Sequence, residues 1–171
     1  MTLTTHAAAG MLVAEWTGSI LIGFIFAIAS HYLLDAVPHG DEFIYWRYVH
    51  NTRDAFALLV GATDFFALLV IVLLAINSVN DYRTMTILVG TIGGILPDAL
   101  VNVYTKHFGP ARAPVHTTPG ESPSLAEKLL KEHYAFHMFF HNTLRIPIRF
   151  RTAVAYQCVF LVCFIYFFLF H

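Results

Sequence analysis

The sequence predicts an all-α, polytopic membrane protein with four transmembrane helices and one further helix at the cytoplasmic interface, all in a single domain. Of its 171 residues, 57% are hydrophobic and only 12% are charged, whereas a soluble domain carries about 25% charged residues. The mean hydropathy is +0.64 for a chain of 19.2 kDa. A soluble protein of this size has too little interior to bury so much apolar surface, so much of that surface must face lipid.

Four apolar stretches are long enough to cross a bilayer, which takes about 20 residues in a helix. Each must be helical, because backbone polar groups inside a membrane have to be satisfied within the segment. No Lys or Arg precedes the first stretch, which is too long for the apolar part of a signal peptide, so we expect it to be retained. The predicted spans cover residues 11–37, 55–77, 84–104 and 152–170.

Lys and Arg are concentrated in two of the connections between these spans. The first connection contains Arg47 and Arg53, and the turn between spans two and three has only Arg83. The long third connection carries most of the others, namely Lys106, Arg112, Lys128, Lys131, Arg145 and Arg149. Because positively charged loops stay in the cytoplasm, the pattern predicts a multi-pass protein of the inner (plasma) membrane with both termini outside the cytoplasm.

The long third connection divides into two parts. Residues 108–123 are rich in Pro, Gly, Ser and Thr, which is typical of a loop. Ser124 and Glu127 then form a capping-box pattern, and Pro147 ends the helical pattern that follows. A helix is therefore predicted over residues 124–144, and its lysines and clustered aromatic side chains favour a position at the cytoplasmic membrane interface.

Polar residues within or beside the spans follow a regular pattern. A charge inside a membrane costs a few kcal/mol, so each such residue needs a reason. Side chains at i, i+4 and i+8 share one face of a helix. Two rows have this spacing, namely His31, Asp35 and His39, and then His133, His137 and His141. Asp98, which follows Pro97 near the end of span three, is predicted at the same membrane face as both rows.

Imidazole and carboxylate side chains in this number are typical ligands of divalent transition metals. We expect the two rows and Asp98 to hold one or two ions, most readily Zn²⁺ and alternatively Fe or Mn. Further carboxylates are interpreted as a general base or as groups that orient the imidazoles, and the catalytic candidates are Asp41 and Asp64.

Simpler interpretations exist for each of these features. A row of three imidazoles beside aromatic residues can be a stripe at the membrane interface, and the row that starts at His31 can be a hydrogen-bonded helix end. The glycines before Pro97 can serve close helix packing. Glu15 is interpreted as structural and near the opposite interface. No role is predicted for the other histidines, which are His6, His50, His107, His116 and His171.

A short motif and the histidine-bearing helices give the chain a resemblance to a known family. The segment Gly94-Ile95-Leu96-Pro97-Asp98 has the form Gly-x-x-Pro-Asp, and it lies between the early and the late histidines. In this layout the chain resembles the membrane-bound metal-dependent hydrolases of bacteria and archaea, although Leu100 stands where that family often has a second acid. The resemblance implies that both rows and Asp98 are metal ligands.

The predicted function is a metal-dependent hydrolase that uses metal-activated water on an amphiphilic or lipid-like ester or phosphoester at the cytoplasmic face. The alternatives are a di-iron oxidase or hydroxylase, a haem-binding electron carrier, and a metal-ion or proton transport subunit with Asp64 and Glu15 in its path. The expected partners are the lipid bilayer and the substrate, and the chain is also compatible with a homo-oligomer. The net charge of −1 argues against nucleic acid as a partner.

Overall fold

The computed structural model describes residues 1–40, 44, 47, 54–77, 81–108, 123–144, 146 and 148–170. Over these residues every element of regular structure is a helix, which confirms the predicted all-α class. The helices are α1 (Leu3–Thr17), α2 (Ile20–Asp35), α3 (Ala55–Asn77), α4 (Asp81–His107), α5 (Leu125–His141) and α6 (Phe150–Phe170).

Three of these helices contain segments long and apolar enough to cross a membrane, which supports the predicted membrane protein. The segments are Ala55–Asn77, Tyr82–His107 and Phe150–Phe167, and they correspond to the second, third and fourth predicted spans. In the most apolar 18-residue stretch of the first segment only 17% of the residues are buried within the bundle, and in the last segment only 11% are. Most of their apolar side chains therefore point outward, as expected for helices in contact with lipid.

The predicted first span, residues 11–37, is wrong because the chain turns back within it. Gly18 has a φ of 59°, a left-handed conformation that ends α1, and Ser19 then caps α2 by accepting a hydrogen bond from the backbone N–H of Ile22. The two helices have 15 and 16 residues, so each is about 23 Å long and shorter than a hydrocarbon core of about 30 Å. A helical hairpin thus replaces the first of the four predicted spans.

The hairpin brings α1 into the middle of the bundle, where it contacts α2, α3, α4 and α6. Residues 4–12 of α1 are buried throughout. The approach to α4 is close because a Cβ on Gly10 would collide with the carbonyl of Gly90, and a Cβ on Gly94 would collide with the carbonyl of His6. Small residues that let two backbones touch are typical of helix contacts within membranes.

The turn between α1 and α2 is tied to the beginning of α4. The hydroxyl of Tyr82 donates a hydrogen bond of 2.7 Å to the carbonyl of Gly18. Arg83 forms an ion pair with Glu15, which agrees with the structural role predicted for this acid.

The amino end of α1 is held by polar side chains that lie well inside the apolar helices α3 and α6. Asp64 of α3 accepts hydrogen bonds from the backbone N–H groups of Leu3 (2.8 Å) and Thr4 (3.2 Å). Gln157 of α6 accepts a hydrogen bond of 2.8 Å from the backbone N–H of Thr2. These contacts satisfy the first N–H groups of α1, which have no partner within the helix itself.

Met1 lies at the end of the bundle that carries Asp35, with its amino group 3.6 Å from Oδ1 of that residue. Met1 and the clustered histidines therefore lie at the same end of the bundle, and the side of the membrane on which either terminus lies stays a prediction. They share this end because the turn at Gly18 adds one reversal of the chain before Asp35 is reached.

Helix α5 confirms the helix predicted over residues 124–144. The hydroxyl of Ser124 accepts a hydrogen bond of 3.2 Å from the backbone N–H of Glu127, as the capping pattern predicts. The helix packs against α4, where the rings of Tyr134 and Tyr104 lie 4.9 Å apart. Its position at the membrane interface stays a prediction.

Candidate metal centre

The carboxyl-terminal end of α2 and the segment that follows it supply two histidines and an aspartate that are all buried, namely His31, Asp35 and His39. The Nδ1–H of His31 donates a hydrogen bond of 2.7 Å to the carbonyl of Gly94 on α4. The Nδ1–H of His39 donates one of 2.6 Å to the carbonyl of Val37. Each of these bonds fixes the tautomer of its ring and leaves Nε2 as the nitrogen that can bind a metal.

Helix α5 supplies two further imidazoles, His137 and His141, from adjacent turns. Their Nε2 atoms lie 2.9 Å apart. His137 is buried, and this burial lowers its pKa from 6.5 to about 4. Its ring is therefore neutral at pH 7 and has a lone pair available for a metal ion.

Helix α4 supplies Asp98, which directly follows the proline within that helix. Its Oδ1 atom lies 3.7 Å from Nε2 of His31 and 3.5 Å from Nε2 of His137. Its side chain is 27% exposed, whereas that of Asp35 is 0% exposed, so Asp98 is the more accessible of the two clustered aspartates.

Asp35 lies in the middle of these groups. Its Oδ2 atom is 3.0 Å from Nε2 of His31, 3.3 Å from Nε2 of His141 and 3.5 Å from Nε2 of His137. Among the described residues, neither oxygen of Asp35 nor Nε2 of His31 has a hydrogen-bond partner. Because the N–H of a neutral His31 is at Nδ1, its Nε2 lone pair faces a carboxylate oxygen. Two buried acceptors in this arrangement need a cation between them, which can be a proton or a metal ion.

The ligand atoms form two overlapping groups, and the atoms of each group lie within 4.8 Å of one another. The first group consists of His31, Asp35, Asp98 and His137, and the second group consists of Asp35, His39 and His141. Both groups contain Asp35. Imidazole and carboxylate ligands are those that divalent transition metals accept, so these buried side chains could hold a metal ion.

His133 belongs to neither group, although its row predicts it as a ligand. Its Nε2–H donates a hydrogen bond of 3.1 Å to the carbonyl of Pro97, and the hydroxyl of Tyr32 lies 3.4 Å from its Nδ1. Both nitrogens of the His133 ring are thus engaged by Pro97 and Tyr32 rather than by the clustered carboxylates. His133 instead ties α5 to the residue before Asp98.

The two carboxylates predicted to be catalytic are not among the clustered ligands. Asp64 caps the amino end of α1, as described above. Asp41 lies outside the described residues. Glu15, the other acid of the proposed transport path, pairs with Arg83. The structure therefore gives Asp64 and Glu15 contacts that stabilise the fold.

His6 has no role in the sequence-based prediction, yet it lies against Asp35. Its Nε2 is 3.1 Å from Oδ1 of Asp35, and its side chain is fully buried. The periodic rows could not reveal it, because α1 was not expected as a separate helix. The available signal was the Gly18-Ser19 pair, since a helix-ending glycine followed by a capping serine predicts two helices rather than one.

Comparison with known proteins identifies no relative of the chain. No protein-family model, no curated protein and no solved structure matches the chain. We therefore infer function from the side chains of the centre and from the motif resemblance described above.

Proposed function

We propose that the protein is a membrane-embedded, metal-dependent hydrolase that cleaves an amphiphilic or lipid-like ester or phosphoester at the cytoplasmic face. The observation that carries the proposal is the buried carboxylate of Asp35, whose Oδ2 atom has three imidazole nitrogens within 3.5 Å. Such a cluster is costly in a chain with three candidate membrane spans unless it serves a function. The resemblance of the segment 94–98 to membrane-bound metal-dependent hydrolases supports the same conclusion.

The two overlapping groups favour two ions that share Asp35. His31, His137 and Asp98 would complete one site, and His39 and His141 would complete the other. Zinc is the ion we expect, because imidazole and carboxylate are its usual ligands in hydrolytic sites, and iron or manganese would accept the same donors. When bound, such ions make hydroxide available near neutral pH and polarise the bond to be cleaved.

The chain's own side chains would orient the site and accept a proton. The carbonyls of Gly94 and Val37 hold the rings of His31 and His39 in fixed tautomers. Asp98 directs its Oδ1 atom toward the imidazoles and is the more exposed of the two clustered aspartates. We assign the other oxygen of Asp98, Oδ2, the role of accepting the proton of the attacking water.

An amphiphilic substrate fits the surroundings of the site. The two helices that supply most of the ligands, α2 and α5, expose large apolar side chains, including Leu33 at 68% and Phe139 at 66%. An acyl chain in the membrane could lie along these surfaces while its polar end reached Asp98. A fully water-soluble substrate would gain nothing from such surroundings.

The structure supports the alternative functions to different degrees. A transport path has less support, because Asp64 and Glu15 are engaged in the capping and ion-pair contacts described above. A di-iron oxidase or hydroxylase would use the same imidazole and carboxylate ligands. Iron as the bound metal, together with product formation that depends on oxygen, would favour that alternative over the hydrolase.

The test is to purify the full chain in mild detergent, measure bound metals by elemental analysis, and assay fluorogenic acyl esters and phosphoesters in mixed micelles. We expect about two equivalents of metal per chain and hydrolysis that EDTA abolishes and added zinc restores. The double variant His31→Ala/His137→Ala should lose both properties. The matched control is His107→Ala, because His107 is an exposed histidine at the end of α4. Less than about half an equivalent of metal in the native chain would refute the proposal.

A further inference from the structure

One fully buried imidazole beside the centre lies outside both ligand groups. The side chain of His6 is 0% exposed, and within the described part of the chain neither of its ring nitrogens makes a hydrogen bond. The polar atom next to its Nε2 is Oδ1 of Asp35, at 3.1 Å. Burial of a polar ring without a partner is unfavourable, so this contact calls for a role.

The two oxygens of Asp35 face different partners. Oδ2 faces the imidazoles that we propose as metal ligands. Oδ1 faces Nε2 of His6 at 3.1 Å and, farther away, the amino group of Met1 at 3.6 Å. His6 therefore contacts Oδ1 of Asp35, whereas the contacts of the three other imidazoles are with Oδ2.

Packing holds the ring of His6 in this position. It stacks on the ring of His31, with ring centroids 3.9 Å apart and an angle of 26° between the planes. Its backbone carbonyl packs against Gly94, where any Cβ would collide with it. Asp64 and Gln157 hold the chain just before it at the amino end of α1. The fixed backbone and the stacked ring together hold Nε2 of His6 beside Asp35.

We infer that His6 is a positioning residue of the metal centre, in which its Nε2–H donates to Oδ1 of Asp35 and keeps Oδ2 turned toward the ligands. A small rotation of the ring or the carboxylate turns the present 3.1 Å contact into this hydrogen bond. Carboxylates that bind a metal are usually held by such a bond, and its loss typically costs about 10- to 100-fold in metal affinity. The inference rests on the proposed function, because it assumes that Asp35 binds the metal.

Two substitutions separate the hydrogen bond from the shape of the ring. His6→Phe keeps an aromatic ring that can stack on His31 but removes the donor. His6→Gln removes the ring but keeps an N–H donor at a similar distance from the backbone. His107→Phe is the matched control, since His107 is exposed at the end of α4. Thermal unfolding of the metal-free proteins then reports whether each variant is folded.

The measurements are zinc affinity by competition with a chromogenic chelator, and the number of imidazole ligands by X-ray absorption of the zinc-loaded protein. We expect His6→Phe to bind zinc about 10- to 100-fold more weakly, with the number of imidazole ligands unchanged, and His6→Gln to stay within about threefold of the native affinity. His107→Phe should match the native chain.

Three results would overturn the inference. If His6→Phe binds zinc as tightly as the native chain, His6 does not position Asp35. If His6→Gln binds zinc as weakly as His6→Phe does, the ring acts through its shape alone. If His6→Phe loses one imidazole from the zinc, His6 is itself a ligand. A native chain that binds no metal refutes the proposed function instead, so the two failures are distinguishable.

Discussion

The Nδ1–H of His31 donates a hydrogen bond of 2.7 Å to the carbonyl of Gly94. This bond links α2 to one of the residues of α4 that α1 approaches closely. The approach at Gly94 is close because this residue has no Cβ to separate the two backbones. The same position thus sets the ring of His31 and brings His6 beside it. A single glycine therefore connects helix packing to the geometry around Asp35.

Substitution of Gly94 tests this connection. In Gly94→Ala the new Cβ would collide with the carbonyl of His6, so α1 and α4 must separate. We expect a loss of about 1–3 kcal/mol in the free energy of unfolding and weaker metal binding. Gly61→Ala is the matched control, since a Cβ on this helical glycine meets nothing within 4 Å. Equal thermal stability of the two variants would show that the packing at Gly94 is not tight.

Substitutions of the two clustered aspartates should differ in how much metal the protein retains. Asp35 belongs to both ligand groups and Asp98 only to the first group. Asp35→Asn should therefore release all bound metal, whereas Asp98→Asn should retain part of it and lose hydrolysis through its missing proton acceptor. Elemental analysis and the micelle assay measure the two effects. Full metal retention in Asp35→Asn would contradict the shared role of this carboxylate.

The histidines of α5 should separate into ligands and a structural residue. His137→Ala should lose metal, because Nε2 of His137 lies within 3.5 Å of both clustered aspartates. His133→Ala should keep its metal and lose some thermal stability, because it gives up the hydrogen bond to Pro97. Such a bond contributes about 1 kcal/mol. Metal loss in His133→Ala that equals the loss in His137→Ala would restore His133 as a ligand.

Asp64 should act on stability rather than on chemistry. Asp64→Ala removes the acceptor for the N–H groups of Leu3 and Thr4, and loss of such a cap costs about 0.5–2 kcal/mol. We expect lower thermal stability with unchanged hydrolysis per bound metal. Thr63→Ala, at the exposed neighbouring position, serves as the control. A loss of turnover at full metal content would support the catalytic role predicted from the sequence.

Acid should destabilise the metal-free protein through His137. Burial lowers the pKa of this residue from 6.5 to about 4, so between these values the unfolded chain takes up a proton that the folded chain excludes. Stability therefore falls as the pH drops from 6.5 toward 4. The melting temperature of the EDTA-treated chain should decrease over this range, and the decrease should be smaller in His137→Leu. Identical pH dependence in both proteins would contradict the lowered pKa.

Much of the architecture follows from local sequence patterns. The apolar stretches at α3, α4 and α6 exceed the length that a bilayer requires, and no tertiary contact is needed to see this. The helix of residues 124–144 follows from Ser124 and Glu127, since a cap acts over a single turn. The sequence also contains a signal for the turn at Gly18. Because apolar residues lie on both sides of this turn, the two short helices resemble one long span.

The composition and the spacing of histidines and aspartates by themselves determined an all-helical fold with candidate membrane spans and candidate metal ligands, because hydropathy and helix periodicity depend only on local sequence. Only the tertiary structure decided which of those ligands meet. Contacts between α1, α2, α4 and α5 gather His31, Asp35, Asp98 and His137, add His6, and leave His133 and Asp64 to hold the helices in place. Such choices depend on how closely backbones approach, as at Gly94, and no single segment of the chain encodes that distance.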